Sequence, residues 1–370
     1  MSNKLLGKSI KIVLTGGHAG ATAMSVIEEL KNRKRNYLFY WIGAKYAIEG
    51  GKSLTYEYQT FPKVGVNFIS IISGRLQTRF TRYTIPSLIK IPFSFFHAFF
   101  ILIKIKPQII VSFGGFASFP VMIIGKLLGI PVIIHEQTMV AGRANRLASP
   151  FVNKIALAHQ ESQRFFPSSK SVIIGNPISK KILAIKKNQA GGRRINILVT
   201  GGSRGSKIIN KTIEKILPKL LRKYRIIHQT GFMDMKRFAT KKKNLPKELA
   251  KNYFIYPFVS AEKWPEIFNS ADIIISRAGA NIVSEIIYAK KTSILIPLPF
   301  SYLDEQTVNA KYAQELGLAK ILEEENLNPM ILENLIKYQV LHKDEILKKE
   351  TVSFDRGADK RMVDLIESFL

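Results

Sequence analysis

The 370-residue chain has no cysteine. That absence removes disulfides, thiolate metal sites and a cysteine nucleophile, and it predicts a reducing compartment. No long apolar run precedes the first glycine turn in the opening MSNKLLGKSIKIVL, which predicts no secretory signal and a cytoplasmic protein. Asp-x-Asp occurs nowhere, so no such pair stands ready to hold a divalent ion on a diphosphate. The glycine loops lack the G-x-G-x-x-G spacing of dinucleotide folds. Acidic residues are scarce, 27 against 56 Lys and Arg, for a formal charge of +29. Such an excess attracts nucleic acid, anionic lipid or phosphorylated substrates. Runs such as Lys241–Lys243 and Lys186–Lys187 fit a plain lysine-rich surface equally well.

What is present is a repeat. IKIVLTGGHAG (Ile10–Gly20) returns as INILVTGGSRG (Ile195–Gly205), offset by 195 − 10 = 185 residues. Ile10, Ile12, Thr15, Gly16, Gly17 and Gly20 recur as Ile195, Ile197, Thr200, Gly201, Gly202 and Gly205. Each copy is a buried-strand pattern, a glycine turn and a helical pattern. PQIIVSFGG (Pro107–Gly115) and ADIIISRAG (Ala271–Gly279) carry the same signature later in each half. Continuous β-branched runs alternating with helices indicate parallel strands covered on both faces. With 46% hydrophobic residues, the chain reads as α/β, two doubly wound parallel-sheet, Rossmann-like domains. The expected division is 1–185, a charged, glycine-containing linker 186–194 (KKNQAGGRR), and 195–354. Ligands of such folds bind beyond the carboxyl ends of the strands, so two facing domains would share an interdomain cleft.

A glycine turn that opens a helix presents N–H groups beside a positive dipole end, which suits phosphate. TGGSRGS (Thr200–Ser206) does this and adds the Ser203 and Ser206 hydroxyls; FGGFASFP (Phe113–Pro120) is a third such turn. One alone is weak evidence, because strand-to-helix turns use glycine for geometry; three in two similar halves favour phosphate handling. His18 follows Gly17 where a helix begins. It reads either as a local helix-start histidine or as a general base, with an unperturbed pKa near ~6.5. His135 and Glu136 close an apolar run with no further ligand at metal spacing, so no metal or other cofactor is expected. Glu285 sits about two turns past the Ala278–Gly279 turn, where it fits a ribose ligand and a solvent-facing glutamate equally. Gln306 and Asn309, after Pro297 and Pro299, fit sugar binding or helix capping.

Thr81–Pro107 is the most apolar stretch. If Pro86 and Pro92 break its start, the helix from Pro92 to about Ile105 is ~21 Å long, short of a ~30 Å hydrocarbon core. Lys90, His97 and Lys104 share one face, and Phe93, Phe96, Phe100 and Ile103 belong to the rest. With Arg75, Arg79 and Arg82 nearby, this fits a helix lying in an anionic membrane interface; burial between layers fits as well.

TGGH (Thr15–His18), SFGGF (Ser112–Phe116), GIPVIIHEQ (Gly129–Gln137), GNP (Gly175–Pro177), TGGSRG (Thr200–Gly205), HQTG (His228–Gly231), SRAG…SE (Ser276–Glu285) and DEQTVNA (Asp304–Ala310) stand in one order. From Ile10 to about Ile321 the sequence resembles the MurG family of peptidoglycan glycosyltransferases, which has the two-domain GT-B fold. The resemblance implies a metal-independent, inverting hexosyltransferase. N-acetylglucosamine would pass from UDP-N-acetylglucosamine (UDP-GlcNAc) to the 4-hydroxyl of the muramyl sugar of lipid I, giving lipid II, at the cytoplasmic face of the cell membrane. It implies Val259 on uracil through its backbone, Glu285 on the ribose, and Ala280, Asn281, Ile282, Val283 and Ser284 lining the nucleotide site. Ser203 would meet the diphosphate and Gln306 the donor sugar. Thr15, Gly16 and Gly17 would approach donor sugar and acceptor, with His18 as base. Thr138 and Ser179 stand where the family has donor-side Asn and Arg, with Lys180 and Lys181 beside Ser179. Gly114, Gly115, His135 and Glu136 fall to the acceptor, the greasy basic helix to peripheral membrane docking, and 355–370 to a helix crossing back to the first domain. Other departures are Val13 and Leu14 for two glycines, AGAT without the expected proline, and Arg204 for a glutamine. The alternatives are a related lipid glycosyltransferase of this fold or a UDP-sugar 2-epimerase. A nucleic-acid binder is disfavoured by the glycine loops and the lack of an aromatic–basic reading module.

Overall fold

The computed structural model describes residues 9–17, 19–46, 54–74, 84–184, 194–202, 204–348 and 357–370. His18, Ser203, Arg75, Arg79, Arg82 and the stretch 186–193 lie outside them. The chain forms two compact units, 1–179 with 355–370, and 180–354. Residues 180–184, which the sequence reading grouped with the first domain, form helix Lys180–Ala184 and pack on helix Trp264–Ser270 of the second.

The first unit is a seven-stranded parallel sheet: β1 (Ile10–Thr15), β2 (Tyr37–Gly43), β3 (Asn67–Ser70), β4 (Ile109–Ser112), β5 (Val132–Glu136), β6 (Lys154–Leu157) and β7 (Ser171–Ile173), in the order β3-β2-β1-β4-β5-β6-β7. Alternation along β1 sends Ile12 and Leu14 to one face and Val13 to the other. On the first face they meet Val26, Ile27 and Leu30 of helix Gly20–Asn32 and Met362, Val363 and Ile366 of helix Ala358–Glu367. The latter is tied down by Tyr37 Oη donating to Glu367 Oε1 (2.6 Å) and Arg361 Nη2 donating to the Ile174 carbonyl (2.7 Å). On the second face lie Ala98, Ile101, Leu102 and Ile105 of helix Thr84–Ile105 and Val121 and Met122 of helix Ser118–Leu127.

Helix Thr84–Ile105 corrects the expected short helix. It runs 22 residues, through both prolines, or about 33 Å at ~1.5 Å per residue. Pro86 falls in the first turn, where its missing N–H has no helical partner in any case, and Pro92 is carried inside. By length and composition this helix could cross a membrane, yet one face is packed onto the sheet.

The second unit repeats the winding with β8 (Asn196–Thr200), β9 (Arg225–Gln229), β10 (Tyr253–Tyr256), β11 (Ile273–Ser276), β12 (Thr292–Leu295) and β13 (Ala319–Ile321), in the order β10-β9-β8-β11-β12-β13, all parallel. Helix Lys207–Lys223 buries Ile209, Ile213, Ile216, Leu217 and Leu220 against Ile197 and Val199 and turns Lys207, Lys211, Lys215 and Lys219 to solvent, the 3.6-residue period at work. β1 and β8, the strands of the repeat, are thus the third strand of each sheet, where the winding reverses. Register then aligns the strand ends. Thr15 sits beside Ile42 and Ser112, and Thr200 beside Gln229 and Ser276, itself beside Leu295. Each unit therefore gathers its glycine loops on one sheet edge.

Candidate active site

In the first unit the loops after β1 and β4 touch through their backbones. Gly17 N–H donates to the Gly114 carbonyl at 2.8 Å. Gly114 and Gly115 have φ of +80° and +98°, and a Cβ on Gly115 would lie 2.8 Å from Gly17 N. Only glycine permits both the left-handed backbone and the approach. Thr15 is buried, its hydroxyl donating to the Ile42 carbonyl at 2.7 Å.

Behind these loops sits a buried polar layer. Glu136, at the end of β5, accepts four hydrogen bonds: from Thr138 N (3.2 Å) and Oγ1 (2.8 Å) on Oε1, and from Gly142 N (3.0 Å) and Asn145 Nδ2 (2.8 Å) on Oε2. Burial pushes this carboxyl up while the four donors pull it back. His135 is fully buried, and burial pushes its imidazole down to about 4 against the pull of the Gly175 carbonyl. Nε2 faces that carbonyl at 3.1 Å and so donates; Nδ1 then accepts from Gln137 Nε2 at 3.3 Å. Gln137 Nε2 also reaches the Phe113 carbonyl at 3.2 Å. Glu136 thus holds the 137–145 segment, His135 reaches Gly175, and Gln137 reaches Phe113. The Ser179 hydroxyl donates to Glu28 Oε2 at 3.3 Å, on helix Gly20–Asn32.

In the second unit a chain of contacts runs around the edge. Gln229, the last residue of β9, donates through Nε2 to the Gly202 carbonyl (2.7 Å) and accepts at Oε1 from Val259 N–H (3.1 Å). It ties the Thr200–Ser206 loop to the segment after β10, and it commits the Val259 N–H. Gly202 and Gly205 have φ of +77° and +74°, and a Cβ on Gly205 would lie 2.3 Å from the Thr230 carbonyl oxygen. Beneath, His228 bonds Asn210 Oδ1 (3.0 Å) and Tyr253 Oη (2.9 Å), and Asn210 Nδ2 donates to the Thr230 carbonyl at 2.8 Å.

Helix Ala280–Tyr288 starts at Gly279 with no side-chain cap, so its first amides at Ala280, Asn281 and Ile282, all half-buried, face outward with the positive dipole end. Val283, Ser284 and Glu285 are buried. Glu285 Oε2 accepts from Trp264 Nε1 at 2.9 Å, and burial pushes its carboxyl up to about 8 against that bond. Asn309 Nδ2 donates to the Ala278 carbonyl at 3.2 Å, joining this turn to helix Glu305–Glu315. Gln306 Oε1 accepts from Leu298 N at 2.9 Å, clasping the loop between β12 and that helix. Phe300, Leu303 and Asp304 in the loop take positive φ, 64°, 52° and 51°, a strain of order 1–2 kcal/mol each. Arg277 straps the loop from below through the Ile296 (3.2 Å) and Pro297 (3.1 Å) carbonyls and an ion pair with Glu324.

The edge of the second unit therefore brings together Val259, Ala280–Glu285 and Gln306, and that of the first Thr15–Gly17, Gly114, Gly115, His135, Glu136 and Thr138. Ser179 lies off that edge, against the helix. Gln137, Asn145, Gln229 and Trp264 join the set from the structure, and Asn309, a candidate from the sequence, spends its Nδ2 on the Ala278 carbonyl. HEQ and HQTG carry Gln137 and Gln229 in plain view as motif letters; nothing in the sequence singles out Trp264. Phe93, Phe96, Phe100 and Ile103 are 60%, 67%, 67% and 43% exposed, a continuous apolar face opposite the packed one. His97 Nδ1 accepts from Ile72 N at 3.1 Å.

Residues 12–157 match the N-terminal domain, and residues 196–367 the C-terminal domain, of glycosyltransferase family 28. The chain is 33% identical over 369 residues, 97% of its length and 99% of the relative's, to the UDP-N-acetylglucosamine–N-acetylmuramyl-(pentapeptide) pyrophosphoryl-undecaprenol N-acetylglucosamine transferase of Clostridium kluyveri. The transferase of the same name from Clostridium novyi is 32% identical over 372 residues, with 97% and 98% covered. Among solved structures, the MurG of Acinetobacter baumannii superposes with a TM-score of 0.68 at 25% identity, covering 97% of this chain and 99% of that one. The UDP-GlcNAc 2-epimerase of Neisseria meningitidis shares the fold at 15% identity and TM-score 0.65, with 98% and 100% covered. The chain belongs to glycosyltransferase family 28.

Proposed function

We propose that the chain transfers N-acetylglucosamine from UDP-GlcNAc to the 4-hydroxyl of the muramyl sugar of lipid I, with inversion at the anomeric carbon, to form lipid II for peptidoglycan. The observation that carries this reading is a one-third identity, end to end, with transferases named for that reaction. The second unit supplies the donor groups. The first-turn amides of helix Ala280–Tyr288 and the Gly202 loop meet the diphosphate and its developing charge. Ser203 adds a hydroxyl there, Glu285 holds the ribose and Gln306 the sugar. With its N–H committed to Gln229, Val259 meets uracil through its carbonyl. The first unit supplies the acceptor side. Thr15–Gly17 with Gly114 and Gly115 form a backbone surface for the acceptor sugar. The buried His135 and Glu136 act on it through the segments they bond, while Thr138, given to the donor by the resemblance, has its hydroxyl held by Glu136. His18 takes the proton of the attacking hydroxyl as the bond from the anomeric carbon to the UDP oxygen breaks.

The exposed face of helix Thr84–Ile105 docks the protein on an anionic membrane at the cytoplasmic side, where a polyprenyl-linked acceptor resides. Its burial on the sheet side favours a helix lying on the surface over one crossing it. The test is UDP release by purified protein with UDP-GlcNAc and lipid I varied separately. Release only when both are present is expected, with His18→Ala slower by roughly 10²–10⁴ and donor affinity kept. UDP release without lipid I, or near-normal turnover in the variant, refutes the respective part. Flotation with phosphatidylglycerol vesicles, lost in Phe96→Asp/Phe100→Asp, tests the docking.

A further inference from the structure

We infer that Trp264 is a positioning residue for the nucleoside: its indole N–H fixes the Glu285 carboxyl so that it accepts the vicinal hydroxyls of a ribose. The inference rests on the ribose role given to Glu285 above. Trp264 opens helix Trp264–Ser270, five residues after Val259. It leans on the fully buried Phe268 with ring centroids 5.7 Å apart, so the indole is anchored from behind. Nε1 then meets Glu285 Oε2 at 2.9 Å.

The chemistry is one-sided. An indole carries one N–H and no acceptor, whereas a carboxylate offers about four lone-pair sites on two oxygens. Trp264 can only hold the carboxyl, never compete with it for a hydroxyl proton, and it takes one lone-pair site of the group. Glu285 is 6% exposed, its carboxyl rotates unless something fixes it, and burial pushes that carboxyl up even with the indole in place. The indole bond favours the charged, oriented form. The same short segment thus presents the Val259 backbone, held by Gln229, and the Trp264 indole, held by Phe268. Base and ribose contacts are set by one piece of chain, which makes the site selective for a ribonucleoside diphosphate over its 2′-deoxy counterpart.

Trp264→Phe keeps an aromatic ring on Phe268 and deletes the donor. Calorimetric dissociation constants for UDP and 2′-deoxy-UDP are measured on the parent, Trp264→Phe and Glu285→Ala, with melting temperatures alongside. Trp264→Phe should weaken UDP by about 5–30-fold and 2′-deoxy-UDP by clearly less, so the preference for ribose narrows. In turnover the donor KM should rise by more than kcat falls. Glu285→Ala should abolish the preference. Equal weakening of both nucleotides together with a lower melting temperature marks a merely structural tryptophan and overturns the inference. Unchanged UDP binding in Trp264→Phe, with the preference lost in Glu285→Ala, overturns it while keeping the ribose role; no effect in either variant refutes that role as well. A second readout needs no variant that folds. The chain has two tryptophans, and Trp41 is buried in the first unit, so UDP should change the indole emission through Trp264; a flat titration overturns the inference.

Discussion

Gln229→Leu is the perturbation that most directly tests how the donor edge is held. The glutamine is 4% exposed and bonded at both ends. Leucine matches its bulk and removes both bonds. The two orphaned partners differ. Val259 is buried, and its N–H without an acceptor costs about 1–3 kcal/mol. Gly202 is exposed, and its carbonyl regains water, so that loss is about 0.5–1 kcal/mol. Together they come to about 2–4 kcal/mol, divided between melting of the loops and lost preorganisation for the nucleotide. If about half reaches binding, UDP-GlcNAc affinity falls roughly 5–30-fold, since about 1.4 kcal/mol is tenfold. The remainder lowers the second unit's melting temperature by a few degrees, at roughly 2–4 °C per kcal/mol for a domain of this size. Gln229→Glu separates the two ends. It still accepts from Val259 but sets a carboxylate against the Gly202 carbonyl, so UDP should weaken while uridine does not. Titration calorimetry and differential scanning calorimetry read both quantities. Affinity within twofold of the parent and an unmoved melting temperature in Gln229→Leu would show that the bridge holds nothing, and the reasoning fails.

Glu136→Gln turns one acceptor oxygen into a donor facing two donors, for a loss of about 3–5 kcal/mol. The first unit should melt roughly 6–20 °C lower, and an unmoved scan contradicts the four-bond account. Gly115→Ala forces a Cβ to 2.8 Å from Gly17 N at φ +98°. Lipid I-dependent turnover should fall at least about tenfold with UDP binding intact, and full activity would show that the two loops need not touch. The Glu285 carboxyl lies at about 8, above its ordinary 4.5. The folded state keeps a proton that the unfolded state releases, so this group's support for folding is complete below about 4.5 and is lost as pH rises through about 8. Hydroxyl donors of the ribose favour the ionised form, so UDP-GlcNAc should bind more tightly from pH 6 to 8 and level off above; a flat calorimetric profile counts against the ribose contact.

The glycine loops were legible in the sequence because their requirement is local. Gly115, Gly202 and Gly205 stand where backbone turns left-handed, and at Gly115 and Gly205 another backbone also presses in, so glycine serves without strain. The doubly wound sheets were legible for the same kind of reason, since buried parallel strands read as unbroken β-branched runs and the two halves repeat them. The start of helix Thr84–Ile105 is not legible, because Pro86 sits in the tolerant first turn and the helix carries Pro92 inside it. What stayed hidden depends on residues far apart in the chain. Gln229 meets positions 27 and 30 residues away, and Trp264 reaches Glu285 21 residues on. A glutamine or tryptophan beside a strand end has no pattern of its own until folding supplies the partner. His135 and Glu136 were legible as polar letters closing an apolar strand, but their depth, and hence their hold on neighbouring loops, came only with the sheet.

Helix Ala358–Glu367 fills one face of the first sheet although 175 residues of the second unit, 180–354, come before it. A growing chain therefore emerges with the first sheet's strands complete and Ile12, Leu14 and Val26 still lacking Met362, Val363 and Ile366. The later-made unit holds all its parts first, which inverts the usual order in which domains mature during synthesis. Until the last turn arrives, that bare apolar strip is open to chaperones, or to the same helix of another copy.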